Sequence, residues 1–207
     1  MRNRTGDRSP EADWIRPLFG PAVHFAMAPL SCTAAALRGE ELRLIPNAAP
    51  SREREIATGR HLARRLLSEL GRPCDAILSD ADRLPVWPEG VVGSITHKSP
   101  GRSGAPERGG CVVAVALAEK VGALGVDLEE NETINPRLFS RIATARERPW
   151  AEDEERKTNL AGGGAVCRGR LLFCAKEAVY KAFFPRTRLV WSFQDVEVEF
   201  DEIQARF

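Results

Sequence analysis

The stretch LLFCAKEAVYKAFF (171–184) sets Lys176, Glu177 and Lys181 into an otherwise apolar run. On a helical wheel Leu172, Ala175, Val179, Ala182 and Phe183 share one face. Glu177 and Lys181 fall together on the opposite face, one turn apart. Alone, such a pair reads first as a solvated salt bridge worth ~0.3–0.5 kcal/mol. Lys176 lies about 100° around the helix and would reach a ligand from a different side. A second acidic group stands in ALGVDLEEN (123–131). Asp127 and Glu129 are two residues apart in a β-rich segment, so both carboxylates point to one face and can meet one cation. Oxygen donors without histidine or cysteine suit Mg²⁺, which completes its shell with water and phosphate oxygens. A DxE alone reads as a solvated strand end; joined by Glu177 it becomes a candidate three-carboxylate site. In GVVGSITHKS (90–99) a short strand delivers His97 to a turn. There it can be a packing or capping residue, or a phosphate contact, and its place before a Gly/Ser/Arg loop favours the phosphate.

Several elements must position these groups. AVHFAMAPL (22–30) alternates like a strand. SREREIATGRHLARRLLSEL (51–70) predicts a helix, with Ser51 as N-cap, Glu53 and Glu55 in the first turn and Gly71 as stop. Its buried stripe is Ile56, Ala63, Leu67 and Leu70. Arg60 lies at the border of that stripe and Arg65 points outward. GVVGSIT (90–96), CVVAVALA (111–118) and ALGVDLE (123–129) read as three short strands. Residues 136–145 read as a helix, 152–157 as a charged turn and the glycine-rich 159–170 as a loop. The 171–184 helix stops at Pro185, and WSFQDVEVEF (191–200) alternates like a strand. This order predicts an α+β fold of two related halves, 16–118 and 119–207, after a disordered leader over 1–15.

Composition narrows the function classes. The 207-residue chain is 43% hydrophobic, with 30 Lys plus Arg against 29 Asp plus Glu, so overall charge gives no argument for nucleic-acid or membrane binding. Cys32, Cys74, Cys111, Cys167 and Cys174 form no CxxC pair and read as reduced intracellular thiols. The charged N-terminus lacks an apolar signal segment, and no apolar run approaches the ~20 residues that span a bilayer. The expectation is a cytoplasmic monomer.

Taken in order, ITH, GVDLE and FCAKEAVYKAF resemble the two-domain 4′-phosphopantetheinyl transferases, closest to the group serving siderophore, peptide and polyketide synthases. GRHLARRLL and PVWPEGVVGSITH are similar to that group too, and the resemblance runs from about residue 56 to about 200. It implies a pseudo-dimer of two similar α+β halves with coenzyme A in the cleft between them. The implied reaction moves phosphopantetheine from coenzyme A to a serine of an apo acyl or peptidyl carrier protein and releases adenosine 3′,5′-bisphosphate. Asp127, Glu129 and Glu177 would hold Mg²⁺, and Glu177 or a water held by the acidic cluster would be the base. Lys181 would meet the attacked phosphate, His97 a coenzyme A phosphate, and Arg60, with Arg64 behind it, the 3′-phosphate. Cys174 stands where the family usually carries serine or threonine. The chain ends soon after 191–200, where relatives often continue, which implies a shortened C-terminal half. Two other classes fit the same motifs: a non-catalytic coenzyme A or carrier-protein binder, and a Mg²⁺-dependent phosphohydrolase.

Overall fold

The computed structural model describes residues 16–99, 109–152 and 166–201. The leader, most of the 152–157 turn and the 159–165 part of the glycine-rich loop lie outside them. Strands β1 (His24–Pro29), β2 (Val91–Lys98) and β3 (Gly110–Leu117) form an antiparallel sheet of order β1-β3-β2. Alternation along β3 sends its side chains to two different cores. Cys111, Val113 and Val115 pack with Ala26 of β1 against Leu62, Ala63, Leu66 and Leu67 of helix α1 (Pro50–Glu69). Val112 and Ala114 face the other way, onto Leu124, Val126 and Leu128, with Phe25 and Met27 beside them. The two faces of one sheet thus join α1 to the second half of the chain.

Helix α1 begins two residues earlier than the capping pattern predicts. Pro50 occupies its first turn and Ala49 precedes it, so Ser51 is not the N-cap. Gly71, at φ 75°, ends it as expected. The buried stripe keeps Ala63 and Leu67 but is broader, while Ile56 and Leu70 are only half-buried.

The second half contains α2 (Pro136–Ile142), the short α3 (Arg148–Ala151) and α4 (Arg168–Thr187). Its core joins Ile142, Ala143, Ala151 and Leu172 to Phe139, Trp150, Phe173, Phe193, Val198 and Phe200. Pro185 does not stop α4. It lies inside the last turn, and the helix ends two residues later, where Arg188 turns left-handed at φ 56°. So near the end, a proline's missing N–H removes a single helical bond. Two strand expectations also fail. Segment 123–129 lies alongside the sheet without joining it, and 191–200 holds a 3₁₀ turn at Phe193–Asp195 followed by irregular chain. Among the described residues the second half has no β-strand, so they give an α+β fold without displaying two like halves. All five cysteines are free, and no described helix is long and apolar enough to cross a membrane.

Candidate functional site

The period of β2 sets the spacing of the site. Ser94, Thr96 and Lys98 alternate onto the face that meets segment 123–129. The Ser94 hydroxyl accepts the Val126 N–H at 3.1 Å, Thr96 Oγ1 donates to Asp127 Oδ1 at 3.1 Å, and Lys98 Nζ donates to Glu129 Oε2 at 2.8 Å. On its other side the segment touches α4 directly. A Cβ on Gly125 would lie 1.9 Å from the Ala178 carbonyl oxygen and 2.7 Å from the Ala182 nitrogen, so only glycine allows this approach. The contacted residues, Ala178 and Ala182, directly follow Glu177 and Lys181 on the helix. Lys181 Nζ reaches Asp127 Oδ1 at 2.5 Å and Thr96 Oγ1 at 3.2 Å.

These charges act on one another. Burial pushes the Glu177 carboxyl above its ordinary range; Asp127 and Glu129 push the same way, and Lys181 offsets part of it. Burial also pushes the Cys174 thiol far up, with Asp127 adding to the shift. Cys174, Glu177 and Lys181 therefore lie along one flank of α4, facing the carboxylates.

Among the described residues no three His, Cys, Asp or Glu side chains converge at metal-binding distance. Cations hold the acids instead: Lys181 on Asp127, and Lys98 with Arg170 at 3.3 Å on Glu129. The donor chemistry still fits a hard cation. The Asp127 side chain is 6% exposed, and its Oδ2 is buried with no partner. An orphaned, buried carboxylate oxygen that feels the charge of Glu177 is what a divalent ion would satisfy.

His97 projects from β2 toward α1. Its Nε2 lies 3.1 Å from Arg52 Nη1 and its Nδ1 3.5 Å from Glu55 Oε1. Glu55 also accepts from Ser99 Oγ at 2.6 Å and Arg52 Nη1 at 3.0 Å. Burial lowers the imidazole below its ordinary value of 6.5; Glu55 opposes this, while Arg52 and Lys181 reinforce it. His97 is thus neutral at pH 7 and lies within the field of Lys181 and Asp127. Arg52 is the cation that sequence reasoning missed. Its signal is slight: Arg52 and Glu55 stand one turn apart, which marks a shared face.

Three expected ligands are placed differently. Arg60 is not at the border of the buried stripe but inside it. It is 7% exposed, with Nε donating to the Ile77 carbonyl at 2.7 Å and Nη2 to Ser79 Oγ at 3.0 Å. Burial lowers its pKa to about 10, so it stays charged. Arg64 is taken by the buried carboxylate of Glu41 and by the Ala36 carbonyl. Lys176 turns into the second core at 3% exposure. Its ammonium donates to Glu147 Oε2 at 2.6 Å, Phe193 O at 2.7 Å and Ile142 O at 2.8 Å, using all three protons. The 100° step that separates Lys176 from Glu177 turns it toward the second core, where its ammonium is bonded to protein groups. A cavity of about 200 Å³ opens beside Glu177, lined also by Lys176, Tyr180, Trp191, Ser192, Phe193 and Val196.

Residues 40–102 match the family model of the 4′-phosphopantetheinyl transferase N-terminal domain, and residues 123–206 that of the 4′-phosphopantetheinyl transferase superfamily. The chain is 34% identical over 161 residues to the 4′-phosphopantetheinyl transferase Npt of Nocardia iowensis, covering 78% of this chain and 65% of that one. It is 37% identical over 172 residues to Svp of Streptomyces mobaraensis, covering 81% and 63%. To PptT of Mycobacterium tuberculosis it is 35% identical over 162 residues, covering 78% and 64%. Both are named as 4′-phosphopantetheinyl transferases too. The chain therefore spans slightly less than two thirds of the length of each relative. His97 and Thr96 fall in the first matched segment, and Asp127, Glu129, Glu177 and Lys181 in the second. The two segments meet at the carboxylates, and on both matches together the chain belongs to the 4′-phosphopantetheinyl transferase superfamily.

Proposed function

We propose that this chain transfers 4′-phosphopantetheine from coenzyme A to a serine hydroxyl of an apo acyl or peptidyl carrier protein. The observation that carries the reading is the buried, unpartnered Oδ2 of Asp127 beside Lys181 and Glu177. In the reaction the serine Oγ bonds to the β-phosphorus of coenzyme A, and the pyrophosphate P–O bond breaks. Adenosine 3′,5′-bisphosphate leaves. A Mg²⁺ held by Asp127, Glu129 and Glu177 would neutralise the concentrated pyrophosphate charge. Glu177 takes the serine proton, a task suited to a carboxyl raised by burial and by neighbouring acids. Lys181 meets the attacked phosphate. Neutral His97 donates a hydrogen bond to a phosphate, with Arg52 supplying the positive charge beside it. Arg60 retains its charge inside the fold and, although bonded to Ile77 and Ser79, would be the cation for the 3′-phosphate. The halves 16–118 and 119–207 act as a pseudo-dimer with the site in their cleft, a reading supported by the Thr96–Asp127 and Lys98–Glu129 bonds between them. The working unit is a monomer in the cytoplasm, where coenzyme A is made.

The test is intact-mass spectrometry of an apo carrier protein incubated with this protein, coenzyme A and Mg²⁺. Addition of phosphopantetheine to the serine is expected. Degraded coenzyme A with an unmodified carrier would make the protein a hydrolase, and no change in either would make it a binder.

A further inference from the structure

Oδ1 and Oδ2 of Asp127 have opposite environments. Oδ1 accepts from both Lys181 Nζ at 2.5 Å and Thr96 Oγ1 at 3.1 Å, while Oδ2 is buried without a partner. Thr96 is 3% exposed and stands in β2 opposite Val112 of β3, so its backbone is fixed by the sheet. Its hydroxyl has one proton, given to Asp127, and a lone pair that accepts from Lys181 at 3.2 Å. Threonine is stiff at χ1, so the hydroxyl direction is fixed as well. We propose that Thr96 is a positioning residue: with Lys181 it occupies Oδ1 of Asp127 and leaves Oδ2 as the oxygen that holds the divalent cation. The inference rests on the proposed Mg²⁺-dependent transfer.

Thr96 belongs to the first half of the chain, Asp127 and Lys181 to the second. One hydroxyl thus ties the metal carboxylate to the opposite half. Removing it frees Asp127 to rotate and share both oxygens with Lys181, which competes with the cation. Partners that orient a metal ligand typically contribute about 10–100-fold in metal affinity.

The experiment compares wild type, Thr96→Val and Thr96→Ser. Valine keeps shape and strand preference while deleting the hydroxyl; serine keeps the hydroxyl. Mn²⁺ binding is measured by electron paramagnetic resonance with coenzyme A and no carrier, so this readout is independent of turnover. Transfer is followed as a function of Mg²⁺. Thr96→Val is expected to weaken Mn²⁺ binding and raise the Mg²⁺ requirement by about tenfold or more, with the KM for coenzyme A within about twofold of wild type. Thr96→Ser should lie within about twofold of wild type in both. Wild-type Mn²⁺ affinity in Thr96→Val overturns the proposal. So does a Thr96→Ser protein as impaired as the valine variant, a comparison to be made with Thr96→Ala if valine prevents folding. A wild-type protein that binds Mn²⁺ but modifies no carrier would defeat the transferase reading and leave the positioning role to be judged by the binding data.

Discussion

A half-buried carboxyl beside two other carboxylates resists ionisation, and Glu177 stands in that position. Its folded-state pKa lies above the ordinary value of 4.5, so the folded protein holds this proton longer than the unfolded chain does. The resulting stability is fully present below that value and is lost as pH rises through the folded pKa. At neutral pH the metal-free protein therefore carries a repulsion that Glu177→Gln lacks. Calorimetry should find the metal-free variant at least as stable as wild type at pH 7, with its advantage vanishing as the pH falls toward 4.5. Transfer by the same variant should fall about 10²–10⁴-fold. Near-wild-type turnover in Glu177→Gln would remove Glu177 as base and ligand. His97 has the opposite sign. Burial lowers its pKa, so its contribution is full above 6.5 and is lost as pH falls through the folded value. A bound phosphate would reverse that by favouring the imidazolium. Of the three histidines, an NMR titration should show His97 alone moving upward when coenzyme A is added; an unmoved His97 would place the phosphates elsewhere.

Between elements, backbone contact decides more than side-chain charge. Gly125 lets segment 123–129 lie against α4, and any β-carbon there would meet main-chain atoms that cannot rotate away. Gly125→Ala should cost about 1–3 kcal/mol as overpacking and should abolish transfer, because Asp127 and Lys181 would separate. Full activity in Gly125→Ala would show that this contact does not set the site. Lys176 gives a second element-scale test, since it bonds directly to Ile142 of α2, to the turn at Phe193 and to Glu147. Losing one partner of such a buried pair costs about 3–5 kcal/mol, and replacing both with apolar residues often recovers much of that. Lys176→Met should accordingly unfold at much lower denaturant than Lys176→Met/Glu147→Leu; equal midpoints would deny the pairing its structural role. The sequence made β1, α1, β2, β3 and the α4 motif legible because their periodicities are local. It hid what depends on partners. The alternation of 191–200 reflects one-sided burial of Val198 and Phe200 on the second core, not a ladder. Segment 123–129 keeps a strand's two-residue spacing by matching β2 side chain to side chain. Lys176 and Arg64 look like their neighbouring site charges until Glu147 and Glu41 are placed beside them.

Across the whole molecule, the two halves complete each other. One face of the sheet has α1 from its own half, whereas the face bearing Val112 and Ala114 is covered by Leu124, Val126 and Leu128 from the other, with Phe19 and Val23 of its own half beside them. Polar ties reinforce this cover. Arg188, at the end of α4, binds Asp80 at 2.8 Å and Asp82 at 2.6 Å, but these groups are exposed, and such pairs typically contribute only ~0–1 kcal/mol. Apolar burial should therefore dominate association of the halves. A fragment ending at residue 121 would keep the sheet and α1, with Phe19 still stacked on Phe25, but expose Met27, Val112 and Ala114. It should bind a hydrophobic dye such as anilinonaphthalene sulfonate and self-associate. Adding the fragment from 122 onward should quench the dye and restore transfer, since Thr96 would again meet Asp127 and Lys181. Salt at about 1 M screens exposed ion pairs to a Debye length of about 3 Å, so reassociation should survive it. A first fragment that is monodisperse and silent to the dye would mean that its sheet face needs no cover. Reassociation abolished by salt would assign the joint to Arg188 and its aspartates instead.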